Sequence, residues 1–353
     1  MISEVKIAAM VLAGILSCQS AGMPAAVPAQ TEMPVVETIA VTEPPTEPVE
    51  EPAPLAPMVL YQEWLPLSCT AVLPKEDMGQ VHIDEVPGHD NFPHTFTAYL
   101  PPHYDPYGKY DLLIFLGPYN GKQGDCVDKY QSTWYTEIFR FRTVFDHLIL
   151  ENRVRPFIMI QPDFLEWKDL ELNYDTISQN IEEELMPYLA EHYAIYAEDG
   201  SHEALVAARD HVAMGGCSLG GMYAFRGFLG NCIDVASSFC AMSCNINMLG
   251  VKDRIEETAN QYPLKRVVYT VGGIEEQKMK QMVDHIHGTC SNVLTDDVFI
   301  PIELAGTHHH YSTWAAGLWN SIQLMFREDI PLSDMLEFTQ RQSDEDYLAS
   351  LEQ

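Results

Sequence analysis

Ser218 stands between Gly216 and Gly220 in the stretch HVAMGGCSLGGMYAF, His211 to Phe225. An apolar run precedes it and a helical pattern follows. This is the G-x-S-x-G arrangement, in which a serine sits on a sharp strand-to-helix bend with its hydroxyl exposed. The glycines have a steric reason, because side chains two positions to either side would collide across the bend. The other reading is a glycine-rich turn with an idle serine. Cys217 is the neighbouring candidate nucleophile, but it would need small residues at 215 and 219, and position 219 is Leu. The bend therefore frames Ser218.

A serine hydroxyl is a weak nucleophile until a base takes its proton, and the base needs an acid to orient it. Where a serine is presented on such an elbow, these groups follow in the order Ser, Asp or Glu, His. The stretch VVYTVGGIEEQKMKQM offers Glu275 and Glu276 directly after an apolar run and a Gly-Gly turn. Glu275 ranks first, with Glu276 and Asp284 behind it. Both glutamates also read as favourable charge at a helix N-terminus. Further on, ELAGTHHHYSTW supplies His308, His309 and His310, and position alone leaves the three open. Adjacent histidines invite a metal reading, but neighbours on a loop rarely converge on one ion, and no carboxylate-rich motif accompanies them. The expectation is no metal and no organic cofactor.

These residues need a frame. TFTAYLP (Thr95 to Pro101), DLLIFLG (Asp111 to Gly117), PFIMIQPDF (Pro156 to Phe164), HVAMGG, VASSFCAMS, RVVYTVGG and VFIPIELAG read as strands. Helical patterns lie at Tyr135 to Asn152, at Asp175 to Tyr193 with Asp175 as its cap, after Ser218, at about Glu275 to Gly288 and at Tyr311 to Arg327. Alternating strands and helices imply a mostly parallel central sheet with helices on both faces. In such sheets function gathers at the carboxyl ends of the strands, where Ser218, Glu275 and the histidines fall.

The formal net charge is -31. That argues against nucleic acid or an anionic membrane surface as a partner, since phosphate binding needs clustered Lys and Arg. Residues 1–18 read as a signal peptide: an apolar run from Ile7 to Leu16 behind Lys6, ending in ILSC, which resembles a lipoprotein processing site with Cys18 as the lipidated residue. A plain secretory signal is the alternative. Residues 19–59 are rich in Pro, Thr and Glu without apolar periodicity, and read as a disordered linker. The folded domain is expected over 60–330, with an acidic tail over 331–353. This organisation implies an exported protein, outside the cell or at its surface, touching membrane only through the anchor. The chain has 8 cysteines. Without Cys18 an odd number remains, so the expectation is mostly free, buried thiols, with one local bridge open among Cys232, Cys240 and Cys244.

The stretch from Tyr193 to Phe225 resembles the feruloyl-esterase-like branch of the esterase D group of α/β-hydrolases, which are carbohydrate esterases. The family reads Tyr-Ala-x-Tyr-Ala-Glu, then Ser-Arg-Asp-His-Arg, then a Gly-Gly-Phe-Ser-Met-Gly elbow. This chain has YAIYAE, ARDHV and GGCSLG in the same order. AYLPPHYDPYGKYDLLIFL looks like the family's first core strands. HHYSTWAAGLWNSI matches its His-(x)4-Trp ending, which selects His309, five before Trp314. VGGIEE sits where the family has Gly-Thr-x-Asp, which selects Glu275. The resemblance covers roughly Thr95 to Met325. It implies the α/β-hydrolase fold, a Ser218–His309–Glu275 triad and hydrolysis of feruloyl or acetyl esters on plant polysaccharide or its oligosaccharides. A glycan-binding protein that has lost turnover and an acyltransferase are the alternatives on the same fold.

Two departures stand out. The family carries His-Gly-Gly-Gly after its first buried strand, where one oxyanion-hole amide originates; here the residues are GPYNG, Gly117 to Gly121. Pro118 has no N–H to give, so the oxyanion falls to the amides of Tyr119 and Leu219. The second departure is glutamate for aspartate at 275.

Overall fold

The structure is a computed structural model. It describes residues 53–87, 93–119, 130–131, 138–139, 141–163, 174–245, 250–327 and 337–351. The expected signal peptide with Cys18, and residues 19–52 of the linker expected over 19–59, lie outside the described residues. Those described belong to one compact unit, Ala53–Gln353.

Eight strands make one sheet: β1 (Gln80–Pro87), β2 (Pro93–Leu100), β3 (Asp111–Leu116), β4 (Phe157–Pro162), β5 (Val212–Cys217), β6 (Ser238–Met242), β7 (Arg266–Gly272) and β8 (Phe299–Leu304). Their order is β1-β2-β4-β3-β5-β6-β7-β8. β2 pairs antiparallel with both neighbours, and the remaining pairings are parallel. Side chains alternate across a strand. In β3, Leu112, Ile114 and Leu116 enter one core, while Leu113 and Phe115 enter the other. In β4, Ile158 and Ile160 divide the same way from Phe157 and Met159. Continuous apolar runs in sequence are thus two buried faces in space.

Helices cover both faces. The first core takes α2, which runs Tyr174–Asn180, passes through a π turn at Ile181–Leu185 and ends as Met186–His192. It also takes α3 (His202–Ala207), α5 (Lys252–Gln261) and α6 (Glu276–Cys290), and α4, which starts as Leu219–Tyr223, passes a π turn at Ala224–Phe228 and closes at Leu229–Asn231. The second core takes α1 (Phe141–Leu150) and α7 (Tyr311–Met325). A short helix α8 (Asp344–Leu351) follows in the acidic C-terminal stretch.

Some elements differ from the sequence reading. The helix expected from Tyr135 begins only at Phe141, and Ile138–Phe139 pairs with Tyr130–Gln131 instead. Its end is as expected, because Asn152 takes a left-handed φ of 53° and Arg153 N–H donates to the Leu148 carbonyl, closing a Schellman-type cap. Asp175 lies inside the first turn of α2 rather than ahead of it, and its carboxylate takes Arg254 at 3.0 Å. β1 is an additional edge strand with little buried except Val86, so it carried no apolar run to read. The residues just before Leu60 are held by α7. Gln323 bonds both the amide and the carbonyl of Val59, and buried Asn320 does the same for Tyr61. At the other end, Thr339 N–H donates to the Leu60 carbonyl at 2.7 Å.

Candidate active site

Ser218 follows β5 at φ 55°, ψ −118°, a conformation that side chains rarely adopt. The chain around it allows nothing else. A Cβ on Gly216 would lie 2.4 Å from the Gly220 carbonyl group, and one on Gly220 would lie 2.2 Å from the Leu116 carbonyl oxygen. The bend is sharp because both of these positions lack side chains. Ser218 N–H donates to the Met242 carbonyl at 2.8 Å, which ties the bend to the end of β6. Cys217 is buried below it, at the last position of β5.

Leu219 is the first residue of α4, so its amide belongs to the helix turn whose N–H groups have no intrahelical acceptor. The loop after β3 lies against the same bend, since a Cβ on Gly220 would also meet the Gly117 carbonyl oxygen at 2.5 Å. Tyr119 is on that loop with its side chain exposed. The loop residues from 120 to 129 lie outside the described residues.

His309 stands in the turn between β8 and α7. Its Nε2 is 2.9 Å from Ser218 Oγ. The ring packs edge-on against Trp314, with centroids 5.3 Å apart. The neighbours are otherwise engaged. The His308 carbonyl accepts from Thr313 Oγ1. The His310 ring caps α7, its Nδ1 accepting from Ser312 N–H at 3.3 Å. Of the three histidines, then, His309 is the one brought to Ser218, and His310 has a structural task.

Glu275 lies after β7, at the N-cap position of α6, with its side chain mostly buried. Its Oε1 is 4.0 Å from His309 Nδ1, an ion-pair separation rather than a hydrogen bond. The same oxygen is bonded by Lys278 Nζ, one turn along α6. Oε2 is buried with no hydrogen-bond partner among the described residues. Glu276 opens α6, and Asp284 lies exposed further along the same helix.

Burial holds the His309 imidazole below the usual histidine range. Glu275 and the Ser243 backbone oppose this, and the charges of Lys278 and His308 add to it. A histidine so placed stays neutral near pH 7, with a lone pair free for the Ser218 proton. Ser243, just past β6, also has a left-handed φ of 50°, and its N–H donates to the Thr270 carbonyl at 2.8 Å.

Sequence reasoning missed Lys278 and Ser243. Lys278 had a readable signal, since a Glu and a Lys three apart on a helix face each other. Ser243 had none, because a serine after an apolar run does not announce a left-handed backbone.

No protein-family model matches the chain. Endo-1,4-beta-xylanase Y of Acetivibrio thermocellus is 26% identical over 150 residues, which make up 42% of this chain and 13% of that protein. The chain therefore spans a small part of that relative's length. Among solved structures, a mutant of the feruloyl esterase module from Clostridium thermocellum complexed with sinapinate superposes with a TM-score of 0.62 at 17% identity, over 82% of this chain and 100% of that one. A ferulic acid esterase from the anaerobic fungus Anaeromyces mucronatus superposes with a TM-score of 0.58 at 17% identity, over 75% and 97%. The fold is accordingly that of α/β-hydrolase esterases: a mostly parallel eight-stranded sheet with flanking helices.

Proposed function

We propose that this protein is a serine esterase that hydrolyses feruloyl or acetyl esters carried by plant cell-wall polysaccharide or its oligosaccharides. The observation that carries the reading is the 2.9 Å contact between Ser218 Oγ, on its left-handed bend, and the Nε2 of a half-buried His309. The names of the structural neighbours and of the xylanase relative support the substrate class.

The geometry supports the following reaction. His309 Nε2 takes the Ser218 proton as Oγ attacks the ester carbonyl carbon. The carbonyl oxygen becomes an oxyanion, held by the amides of Leu219 and Tyr119. The imidazolium gives its proton to the sugar oxygen, the C–O bond breaks and the alcohol leaves. Water then loses a proton to His309 and attacks the acyl-enzyme, and the carboxylic acid departs as Ser218 regains its proton. Glu275 orients the imidazole and supports its charge. No metal or organic cofactor takes part. The N-terminal segment fits export with a lipid on Cys18, which sets the enzyme outside the cell or on its surface.

One observation favours a second reading, a glycan-binding protein without turnover: Glu275 is bonded by Lys278 and stands off His309. The test separates the two. Purified full-length protein should cleave feruloyl or acetyl model esters, and a fluorophosphonate should label it at Ser218. Labelling that survives Ser218→Ala would sink the assignment. A folded wild type that neither turns over nor labels would select the binding reading.

A further inference from the structure

Three side chains from separate elements converge on the far side of the molecule from Ser218. Glu182 lies on the π turn of α2, His202 opens α3 and Asp234 stands in the turn before β6. Ser218 is tied to the carboxyl end of β6, whereas Asp234 precedes its amino end, so the two places lie at opposite ends of that strand. Each of the three offers one ligand atom, and these atoms lie within 4.8 Å of one another. His202 Nδ1 is 3.5 Å from Glu182 Oε1, and its Nε2 is 3.4 Å from Asp234 Oδ2. Both distances are too long for good hydrogen bonds.

Among the described residues, the group is only partly satisfied. Asp234 Oδ1 is shut away from solvent with no hydrogen-bond partner among the described residues. A buried anionic oxygen left in that state is costly. The neighbouring Arg209 acts on Asp234 through its charge, and it gives hydrogen bonds to the carbonyls of Ile233, Ala236, Tyr262 and Pro263 and to the Asp210 carboxylate. The π turn that carries Glu182 is itself a feature that recurs at functional sites.

We propose that Glu182, His202 and Asp234 form a site for one divalent cation of the zinc class, at the opposite end of the sheet from the Ser218 site. With their protons displaced, two carboxylates and one imidazole would present two negative charges, which a divalent ion offsets. One nitrogen and two oxygens suit zinc, whereas calcium and magnesium take oxygen ligands throughout. The imidazole supplies one nitrogen only, and a small rotation of the half-exposed His202 ring chooses between them. The exposed side of the cluster leaves a fourth position for water. Such an ion would pin the π turn of α2 to α3 and to the turn before β6, a structural role independent of ester chemistry. No sequence motif joins positions this far apart, and so the cluster appears only in the fold.

The test uses the full chain stripped with a chelator and dialysed against zinc chloride, with bound metal measured by mass spectrometry and stability by thermal melting. The expected result is one zinc per chain and a higher Tm. His202→Ala, at an exposed position, and Asp234→Asn should each weaken zinc binding at least about tenfold and remove the Tm gain. The double variant His308→Ala, His310→Ala should keep both. Absence of zinc uptake by the wild type would overturn the site. So would undiminished binding by His202→Ala, or loss of binding in the His308, His310 double variant, which would put the ion on the histidine loop.

Discussion

The two halves of the candidate active site are built on different principles. At Ser218 the backbone does the positioning: a left-handed φ, two glycines that no side chain can replace, and a hydrogen bond to the end of β6. At Glu275 a flexible side chain does it, and that side chain has two partners to choose from, Lys278 and the His309 ring. Steric constraint yields one arrangement. Electrostatic attraction between long side chains yields several of similar energy, separated by small rotations. The nucleophile side should therefore respond to mutation in an all-or-none manner, and the acid side by degrees.

The largest expected effect lies on the constrained side. Ser218→Ala should lower kcat by about 10⁴- to 10⁶-fold. Ser218→Gly should be equally inactive but more stable, since a strained backbone of this kind costs about 1–3 kcal/mol and glycine adopts it freely. Thermal melting of the two inactive variants checks this. A glycine variant that melts no higher than the alanine variant would remove strain from the account of the bend.

The histidines come next. His309→Ala should lose nearly all ester turnover with a near-normal melt. His308→Ala and His310→Ala should stay within about tenfold of wild type, or 1.4 kcal/mol of barrier. His310→Ala should in addition lose about 1 kcal/mol of stability, because it caps α7. Turnover and melting of the three single variants measure both. If His308 or His310 proves indispensable, the ring at Ser218 has been misassigned.

Glu275→Ala should fall between these groups, at about 10- to 10³-fold in kcat, well short of the about 10⁴-fold that loss of the acid costs where its hydrogen bond to the base is intact. Steady-state kinetics decide it, and a loss as large as that of His309→Ala would show that Glu275 reaches the imidazole in the working state.

How legible all this was in the sequence follows the same division. The bend at Ser218 could be read, because a glycine pattern states a steric requirement; position left three histidines open, and only the resemblance to the family's His-(x)4-Trp ending pointed to His309. The strands could be read for a related reason: β3 and β4 are apolar on both faces, so their runs are unbroken. β1 escaped because an exposed edge buries too little to leave a pattern. The late start of α1 escaped because Tyr135 to Phe139 suits a helix and a strand alike. The pull of Lys278 on Glu275 escaped because it is a competition between partners, and sequence gives the competitors without the distances. The Glu182, His202, Asp234 cluster escaped because three elements distant in the chain assemble it.

The smallest effect tests the competition itself. Lys278 acts on His309 in two ways: its charge holds the imidazole pKa down, and its bond to Glu275 keeps the carboxylate from approaching. Only the neutral imidazole can take the Ser218 proton, so activity is lost as pH falls through the His309 pKa. In the wild type that pKa lies below the ordinary value of about 6.5, and the acid limb of kcat/KM should lie there too. Lys278→Met removes a cation and frees Glu275 for the imidazole, and both changes stabilise the protonated ring. The acid limb should therefore move to higher pH. At pH 8 both proteins carry a neutral His309, and kcat/KM should agree within about threefold, less than 1 kcal/mol of barrier. Lys278→Arg, which keeps the charge, should leave the acid limb near its wild-type position. A pH–rate profile of the three proteins decides the point: a limb that stays in place in Lys278→Met, or shifts to lower pH, would mean that Lys278 does not govern the Glu275–His309 contact.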